Sequence, residues 1–205
     1  MKYIDYIGIV PPQTEGKEIE AEAALELQDH AEAENFYEVV KSRLLKVNQW
    51  NEIAGMISAT FQLTDFKGTA IDSIPQQGNL LKIDIPGPGS SEGDGYDWVV
   101  VEEVKSLEEE ERQGIGFRVR PTHNPVGDHN ETAHFYDHEA TSTFMVIRDH
   151  KIVRAWIVDR NITPNTQPVS LIDKIRDSVV GMSALLKFSE IQWQHLAEGL
   201  IKREI

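Results

Sequence analysis

The stretch TSTFMVIRDHKIVRAWIVD, residues 141–159, decides the fold class of this 205-residue chain. Two runs rich in β-branched and aromatic residues, Thr141–Ile147 and Ile152–Val158, flank the short polar link Arg148-Asp149-His150. Such residues favour strands, and a short polar link between two strand-like runs is typical of a hairpin. We therefore predict an antiparallel β-hairpin in this region.

Turn residues, rather than helices, separate this hairpin from further strand-like segments. Ile19–Leu27 alternates apolar or small residues with polar ones and predicts a strand, although its glutamates and alanines leave a helix as the alternative. Closely spaced strands without intervening helices form antiparallel sheets. Four more strands are predicted, at Ser58–Phe66, Asn79–Ile85, Tyr96–Val104 and Gly114–Arg120, ahead of the two hairpin strands, which we bound as Glu139–Arg148 and Lys151–Asp159.

Apolar residues recur at three- and four-residue steps in two other regions, which predicts amphipathic helices. The first region, Ala33–Ile53, contains Asn48, where we expect a break into two shorter helices. The second region, Ser170–Ile201, has Ser170 as its predicted N-cap and Asp173 in its first turn. Its roughly 30 residues would reach about 45 Å, enough to cross a whole sheet.

Length and composition indicate one domain with a sizeable core. We divide the chain into an N-terminal extension, residues 1–17, and one domain, residues 18–205. The strand-like start Lys2–Val10 is ended by Pro11-Pro12, and we expect it to add an edge strand. The Gly- and Pro-rich stretch Pro86–Gly95 is interpreted as a mobile loop between neighbouring strands.

Charge and composition exclude several classes of function. The formal net charge of −14 repels phosphate backbones, so we expect no nucleic-acid partner. The chain has no cysteine, which excludes disulfides and fits a reducing compartment. No apolar run approaches the roughly 20 residues of a spanning helix, and the first ten residues lack the features of a signal peptide. We therefore predict a soluble, cytoplasmic protein with no integral membrane segment.

The order of elements, from a strand and a helix pair through antiparallel strands to a long last helix, resembles the START-like superfamily, also called Bet v 1-like or SRPBCC. Local resemblance lies in the Phe36–Trp50 helix with its Val47-Asn48-Gln49-Trp50 end, in the strand Tyr96–Glu102 and in the last helix. The resemblance implies an α+β helix-grip fold, in which a curved antiparallel sheet of six to seven strands wraps the C-terminal helix. The extension and the connection His123–His138 depart from the family. The cone fold of the NTF2-like superfamily is the alternative, because Arg148–Val153 resembles a strand turn found there. That cone finishes on strands, whereas this chain finishes on a long predicted helix, which favours the START-like fold.

The resemblance further implies a cavity between the sheet and the last helix. Apolar and aromatic groups line most small-molecule cavities, so such residues on the strands and the last helix are our candidates for ligand binding. Core filling is the alternative for each of them. Alternation does not tell which strand face is concave, because both faces are apolar, and this predicts a cover over the outer face, from the extension or from a second subunit. The candidates are Trp98, Phe117, Phe144, Trp156, Met182, Leu186 and Trp193.

Four histidines in one connection, His123, His129, His134 and His138, are weak candidates for a metal site. Imidazole and the interspersed carboxylates suit zinc, iron or manganese. Their spacing matches no specific metal signature, and a solvated polar loop is the alternative. We predict no metal, no cofactor and no particular catalytic residue.

The leading hypothesis is therefore the binding of a small hydrophobic ligand, lipid-like or polyketide-like, in this cavity. The alternatives are a cyclase-type or metal-dependent enzyme on the same scaffold and a protein-interaction module similar to a co-chaperone. The sequence lacks GxGxxG, GxxxxGK[ST], GxSxG and HExxH, which disfavours nucleotide binding, serine hydrolysis and zincin proteolysis. Arg118 or Arg154 could hold a ligand carboxylate if its strand face is concave. A homodimer is a further prediction.

Overall fold

The computed structural model describes residues 5–55, 59–85, 93–126, 131–165 and 179–203, without the side chains of residues 179–184. The predicted N-cap Ser170, Asp173 and most of the Pro86–Gly95 stretch lie outside these residues. The elements in chain order are β1 (Lys17–Glu26), α1 (His30–Leu45), a 3-10 turn (Val47–Gln49), α2 (Trp50–Ala54), β2 (Thr60–Thr64), β3 (Leu80–Asp84), β4 (Asp97–Glu108), β5 (Arg112–Pro121), β6 (Thr141–Asp149), β7 (Ile152–Ile162) and α3 (Val179–Leu200).

The seven described strands form one antiparallel sheet in the order β1-β7-β6-β5-β4-β3-β2. Strands β2 to β7 follow one another as a meander, and β1 returns to pair with β7. The β6–β7 hairpin pairs Asp149 with Ile152 across its turn, where His150 has a φ of 55°. The hairpin predicted from residues 141–159, the strand at Ile19–Leu27 and the α+β helix-grip architecture are thus confirmed.

The long helix α3 packs against β1, β7 and α2. Gly199 permits its close approach to α2, because a Cβ atom at this position would collide with the carbonyl oxygen of Ile53. The guanidinium of Arg43 on α1 donates to the carbonyl oxygens of Leu200 and Lys202, at 2.9 and 2.6 Å. These bonds satisfy carbonyls that the helix end leaves without intrahelical partners. The end of α3 is therefore fixed against both preceding helices.

The predicted break at Asn48 is confirmed, and its side chain explains the position. Asn48 Oδ1 accepts from the backbone N–H of Leu63 at 2.7 Å, and its Nδ2 donates to the carbonyl of Ile71 at 3.0 Å. Asparagine is favoured where the chain leaves a helix, because its short amide can bond to the backbone. The break places the ring of Trp50, which is fully buried, in the core.

We call the sheet face that carries the main core the inner face. It presents Phe117, Phe144 and Ile157 toward the helices, all of them buried in one cluster. Trp50 packs against Phe117 and Phe144, with ring centroids 5.9 and 4.7 Å apart. Aromatic pairs at these distances add to the free energy gained from burial alone.

The opposite, outer face carries a second apolar cluster. It consists of Ile9 from the N-terminal segment together with Met145, Ile147, Trp156 and Val158 from β6 and β7. Residues Asp5–Val10 lie over this face and do not form a strand, so the predicted edge strand at Lys2–Val10 is wrong for its described part. The cover predicted for the outer face is present, and this segment supplies it.

Local hydrogen bonds explain why the segment is not a strand. The Asp5 carboxylate accepts from the backbone N–H groups of Ile7, Gly8 and Val10, at 3.2, 2.9 and 2.8 Å. Aspartate side chains that bond the following backbone compete with ladder pairing. Gly116 on β5 leaves room for the segment, because a Cβ atom there would lie 3.0 Å from Ile7 Cδ1.

Among the described residues, no helix is both long enough and apolar enough to cross a membrane. The division into residues 1–17 and 18–205 stays a prediction.

Candidate functional site

A cavity lies between the inner face of the sheet and α3. Strand residues Leu81, Ile83, Val99, Val119 and Phe144 form one apolar wall, and Leu185, Phe188 and Trp193 of α3 form the other. The cavity measures about 50 Å³ and is open to solvent at its mouth. Ligand pockets commonly measure roughly 300–1,000 Å³, so a ligand here must fill the mouth or displace side chains as well.

Two of the seven predicted ligand-binding residues line this cavity. Phe144 projects from β6 and Trp193 from α3. Their rings meet edge to face, with centroids 5.2 Å apart and an interplanar angle of 81°. The two rings therefore form one part of the cavity wall, where the sheet and the helix meet.

The other predicted residues lie elsewhere. Phe117 and Leu186 are buried in the main core but do not line the cavity. Trp98 and Trp156 point to the outer face, which corrects the prediction that they line the cavity. The reason is strand alternation, since the neighbours Asp97 and Ile157 occupy the inner face. The side chain of Met182 lies outside the described residues.

Asp97, the first residue of β4, is the least expected part of the cavity wall. Its side chain is 1% exposed, and neither carboxyl oxygen has a hydrogen-bond partner among the described residues. Burial raises the pKa of Asp97 well above its ordinary value, and the nearby backbone N–H of Phe135 opposes this only in part. Burial in an apolar wall disfavours the charged form of a carboxyl group, which is the physical cause of this shift.

His134 lies beside Asp97 in the same wall. Its Nε2 is 3.7 Å from Asp97 Oδ2, and its Nδ1 accepts from the backbone N–H of Tyr136 at 2.9 Å. Because Nδ1 accepts a hydrogen bond, the ring proton resides on Nε2, facing the carboxyl group. Burial lowers the pKa of His134 to about 3, so the imidazole is neutral at pH 7.

Asp159, near the end of β7, is the second buried carboxyl group. Its Oδ2 accepts from the indole Nε1 of Trp193 at 2.8 Å. Burial raises the pKa of Asp159 to about 6, against the opposing effects of Ser142, Trp193 and Arg160. This carboxyl group is therefore mainly ionised at pH 7.

Tyr136 lies in the segment between β5 and β6 and links that segment to α3. Its hydroxyl group lies 3.1 Å from the hydroxyl of Ser189. Burial raises the pKa of Tyr136 above its ordinary value, and the charges of Asp159 and Asp97 act in the same direction. The phenol therefore keeps its proton and is available as a hydrogen-bond donor or acceptor.

These four residues give the apolar cavity one polar end. It contains two acids with raised pKa values, a neutral imidazole and a neutral phenol. Groups with displaced pKa values in a cleft are the usual mark of a binding or catalytic site. The arrangement can donate a proton or hydrogen bond to a ligand, or accept one from it.

The structure places the described histidines of the candidate metal site in different surroundings. The exposed His138 is paired with its neighbours Asp137 and Glu139, and His123 is exposed at the end of β5, while His134 is enclosed in the cavity wall. His129 lies outside the described residues. Across the part of the chain that the structure describes, no three His, Asp or Glu side chains could hold one metal ion. His123, His134 and His138 therefore do not form one metal site in the described structure.

Neither arginine considered as a ligand anchor faces the cavity. Arg118 lies on the outer face, where Nε donates to Glu102 at 2.7 Å and Nη1 to the carbonyl of Ile9 at 2.6 Å. Arg154 alternates with Val153 and Ala155, both of which belong to the inner-face core. The condition for holding a ligand carboxylate is therefore not met.

The polar end of the cavity went unrecognised in the sequence, although a signal was present. Asp97 and Asp159 each border a strand run that is otherwise strongly apolar, in YDWVVV and AWIVD. A charged residue inside a buried run is rare unless it is paired or functional. His134 and Tyr136 carry no comparable signal, because they come from an irregular connection.

Three solved structures with similar chain paths illustrate the architecture. They are the di-domain aromatase/cyclase BexL of the BE-7585A biosynthetic pathway (12% identity, TM-score 0.39), a truncated norcoclaurine synthase from Thalictrum flavum (10%, 0.35) and the major latex-like protein 151 from Panax ginseng (14%, 0.34). The matches cover 91%, 92% and 88% of this chain, and 51%, 99% and 98% of the respective structures. No family model and no curated protein matches the sequence.

This chain has an α+β helix-grip fold. The statement rests on its own architecture: seven antiparallel strands in one sheet, with a long C-terminal helix across their inner face. It spans about half the length of the di-domain structure. Likenesses at such identities and TM-scores carry no argument about function, which must come from the cavity itself.

Proposed function

We propose that this protein binds a small, mainly apolar molecule in the cavity between the inner face of the sheet and α3. The ligand's apolar body would lie against Phe144, Phe188 and Trp193, and its polar group would reach Asp97 and Asp159. A lipid-like or polyketide-like molecule fits this description, and the cytoplasm is the proposed location.

One observation carries the proposal. The cavity wall is apolar over most of its extent, yet two buried carboxyl groups lie in it, and Asp97 has no partner among the described residues. Burying a polar group without a hydrogen bond costs about 1–3 kcal/mol in proteins. A ligand that supplies the missing hydrogen bond removes this cost when it binds.

The first experiment is native mass spectrometry of the protein as purified, compared with its denatured mass. We expect a non-covalent adduct of a few hundred daltons. Titration with the neutral dye N-phenyl-1-naphthylamine then measures the cavity directly through dye fluorescence. A saturable rise in fluorescence is expected even if purification has removed the natural ligand.

A filled cavity provides the matched control. Val119 is buried in the cavity wall, so Val119→Phe places a ring in the enclosed space. Val104 lies on β4 at an exposed position outside the wall, so Val104→Phe adds the same group without filling the cavity. Loss of dye binding in Val119→Phe alone supports the proposal. Equal binding by both variants, with unchanged circular dichroism, contradicts it.

A cyclase-type enzyme on the same scaffold is the second candidate. The observation that favours it is the 3.7 Å approach of His134 Nε2 to Asp97 Oδ2 in a cavity wall that also holds Tyr136. Such groups can move protons to and from a bound carbonyl or enol. Incubation of the recovered ligand with wild type and Asp97→Asn, followed by mass spectrometry, tests it. Conversion by wild type but not by the variant, with binding retained, would support catalysis.

The remaining predictions receive less support. A filled interior would favour a protein-interaction module, whereas this interior opens at the cavity. A metal-dependent enzyme requires converging ligands, which the described part of the chain does not supply. The proposed homodimer is tested by the mass of the native protein in the same spectrum.

A further inference from the structure

We propose that the cavity selects a cationic ligand, namely a small apolar molecule that carries a protonated amine. This inference rests on the proposed function, because it concerns the same cavity, and it names the class of molecule that the polar end recognises. It follows from the charges around the cavity, taken one by one.

The cavity wall is acidic. Asp97 and Asp159 are its two carboxyl groups, and its described residues include no lysine or arginine. The other titratable groups there, His134 and Tyr136, are neutral at pH 7. Whatever charge the polar end carries is therefore negative.

The nearest arginine does not neutralise this charge. Arg160 follows Asp159 on β7, but its guanidinium pairs with Glu18 at 3.2 Å and with Glu20, both of them on β1. One cation shared among three carboxylates leaves a negative excess. Asp159 has a hydrogen bond from Trp193 to only one of its two oxygens.

Three carboxyl oxygens at this end of the cavity therefore lack a hydrogen-bond donor among the described residues. They are both carboxyl oxygens of Asp97 and Oδ1 of Asp159, each closed off from solvent and without a hydrogen-bond partner in the described structure. An ammonium group has three N–H donors and no acceptor, so it matches acceptors of this kind. An alcohol offers one donor only, and a carboxylate offers none.

Coulomb energy reinforces the match. Opposite charges attract each other more strongly in a site closed off from solvent than in water, because the effective dielectric constant there is lower. A ligand carboxylate would meet repulsion that is strengthened in the same way. The aromatic faces of Phe144 and Trp193 in the wall also favour a cation through their quadrupoles.

The net charge of the whole molecule also favours a cationic ligand. Its formal net charge of −14 raises the local concentration of cations near the surface and lowers that of anions. Approach and binding therefore favour the same class of ligand. A fatty acid or another organic acid is disfavoured at both stages.

Three probes of nearly equal shape test the inference: 2-phenylethylamine, 2-phenylethanol and 3-phenylpropionate. Each is titrated at pH 7 as a competitor of N-phenyl-1-naphthylamine bound to the full-length protein. We expect the amine to compete at least tenfold more tightly than the alcohol, and the carboxylate to compete least. In Asp159→Asn and Asp97→Asn the preference for amine over alcohol should fall toward equality, while the alcohol's own affinity changes less than threefold.

Asp149→Asn is the matched control, because Asp149 is a half-exposed carboxylate at the far end of β6 and outside the cavity wall. It should keep the full preference for the amine. Equal competition by amine and alcohol, or no competition by the amine while the dye binds, overturns the inference but leaves the proposed function standing. Failure of the dye itself to bind contradicts the proposed function instead.

Discussion

The two apolar faces of the sheet are shielded from solvent in different ways. On the outer face, the apolar side chains of Met145, Ile147 and Trp156 are covered by Ile9 and its neighbours. On the inner face, the helices cover most of the sheet but leave a cavity beside α3. The N-terminal segment therefore seals the outer face, whereas the inner face retains an open cavity.

The difference extends to the ionisable side chains of the two faces. Arg118 on the outer face has its guanidinium bonded to Glu102 and to the carbonyl of Ile9. On the inner face, both carboxyl oxygens of Asp97 are buried and have no hydrogen-bond partner among the described residues. Natural proteins rarely leave buried polar atoms without partners unless the site has a role. The comparison teaches that the N-terminal segment closes the outer face, whereas the inner face keeps buried carboxyl groups beside an open cavity.

The largest expected effect breaks the sealed face. Trp156→Ala should lower the free energy of unfolding by about 3–5 kcal/mol, because it leaves a cavity under the N-terminal segment. Urea denaturation followed by circular dichroism measures this. Phe66→Ala is the control, since that ring is 71% exposed and its removal should cost less than about 0.5 kcal/mol. A loss below about 1 kcal/mol for Trp156→Ala would show that the outer cluster is not a second core.

A smaller effect tests whether the N-terminal segment belongs to the fold. Ile9 is 1% exposed, so Ile9→Ala should cost about 2–4 kcal/mol. Val126→Ala serves as the control at a position that is 72% exposed. If Ile9→Ala unfolds at the same urea concentration as wild type, the segment is an appendage that contributes nothing to stability.

Sequence patterns predicted the architecture well because the strands alternate and the helices repeat at helical spacing. The hairpin at residues 141–159 and the break at Asn48 both follow from local chemistry that the sequence contains. Lys2–Val10 misled the prediction, because its β-branched residues pack onto a sheet face instead of pairing at an edge. Strand propensity reports a fit to half-buried surfaces, and both arrangements provide one.

The site was less predictable, for a physical reason. Period two divides a strand into two faces but cannot tell which one is concave when both are apolar. Trp98 and Trp156 were therefore grouped with Phe144, although they lie on opposite faces. The choice of face depends on where the helices pack, which is a tertiary property. Asp97 and Asp159 could have decided it, because a buried acid is tolerated mainly where a site needs it.

The third prediction concerns the open face and uses pH. The pKa of Asp159 is about 6 in the folded protein and 3.8 in the unfolded chain, so folding favours the protonated form. The resulting stabilisation is complete below pH 4 and is lost as the pH rises toward 6, by up to about 3 kcal/mol. Asp159→Asn lacks this loss, so it should exceed wild type in stability at pH 8 and match it at pH 3.5.

The difference in stability between wild type and Asp159→Asn isolates the contribution of the Asp159 carboxyl group. Asp97 changes stability in the same direction, and His134, whose pKa is lowered, changes it in the opposite direction. Both residues remain in the variant and cancel in the difference between melting temperatures. A constant difference between pH 3.5 and pH 8 would mean that Asp159 is not protonated preferentially in the folded state.

The smallest expected effect sharpens the contrast within the inner face. Trp193→Phe keeps a ring against Phe144 but removes the indole N–H that donates to Asp159 at 2.8 Å. A hydrogen bond to a charged group contributes about 1.5–3 kcal/mol, and one to a neutral group about 0.5–1.5 kcal/mol. The loss of stability should therefore be about 1 kcal/mol larger at pH 8, where Asp159 is ionised, than at pH 4.5.

Trp50→Phe is the matched control for this last experiment. The indole of Trp50 donates to the backbone carbonyl of Leu44 at 3.0 Å, and that acceptor carries no charge at any pH. Its removal should cost the same at pH 4.5 and pH 8. If Trp193→Phe costs the same small amount, about 0.5–1.5 kcal/mol, at both pH values, Asp159 is neutral throughout this range. The negative charge that the cationic-ligand inference requires would then be absent from Asp159 at pH 8, and only a ligand that accepts hydrogen bonds from neutral acids would suit the cavity.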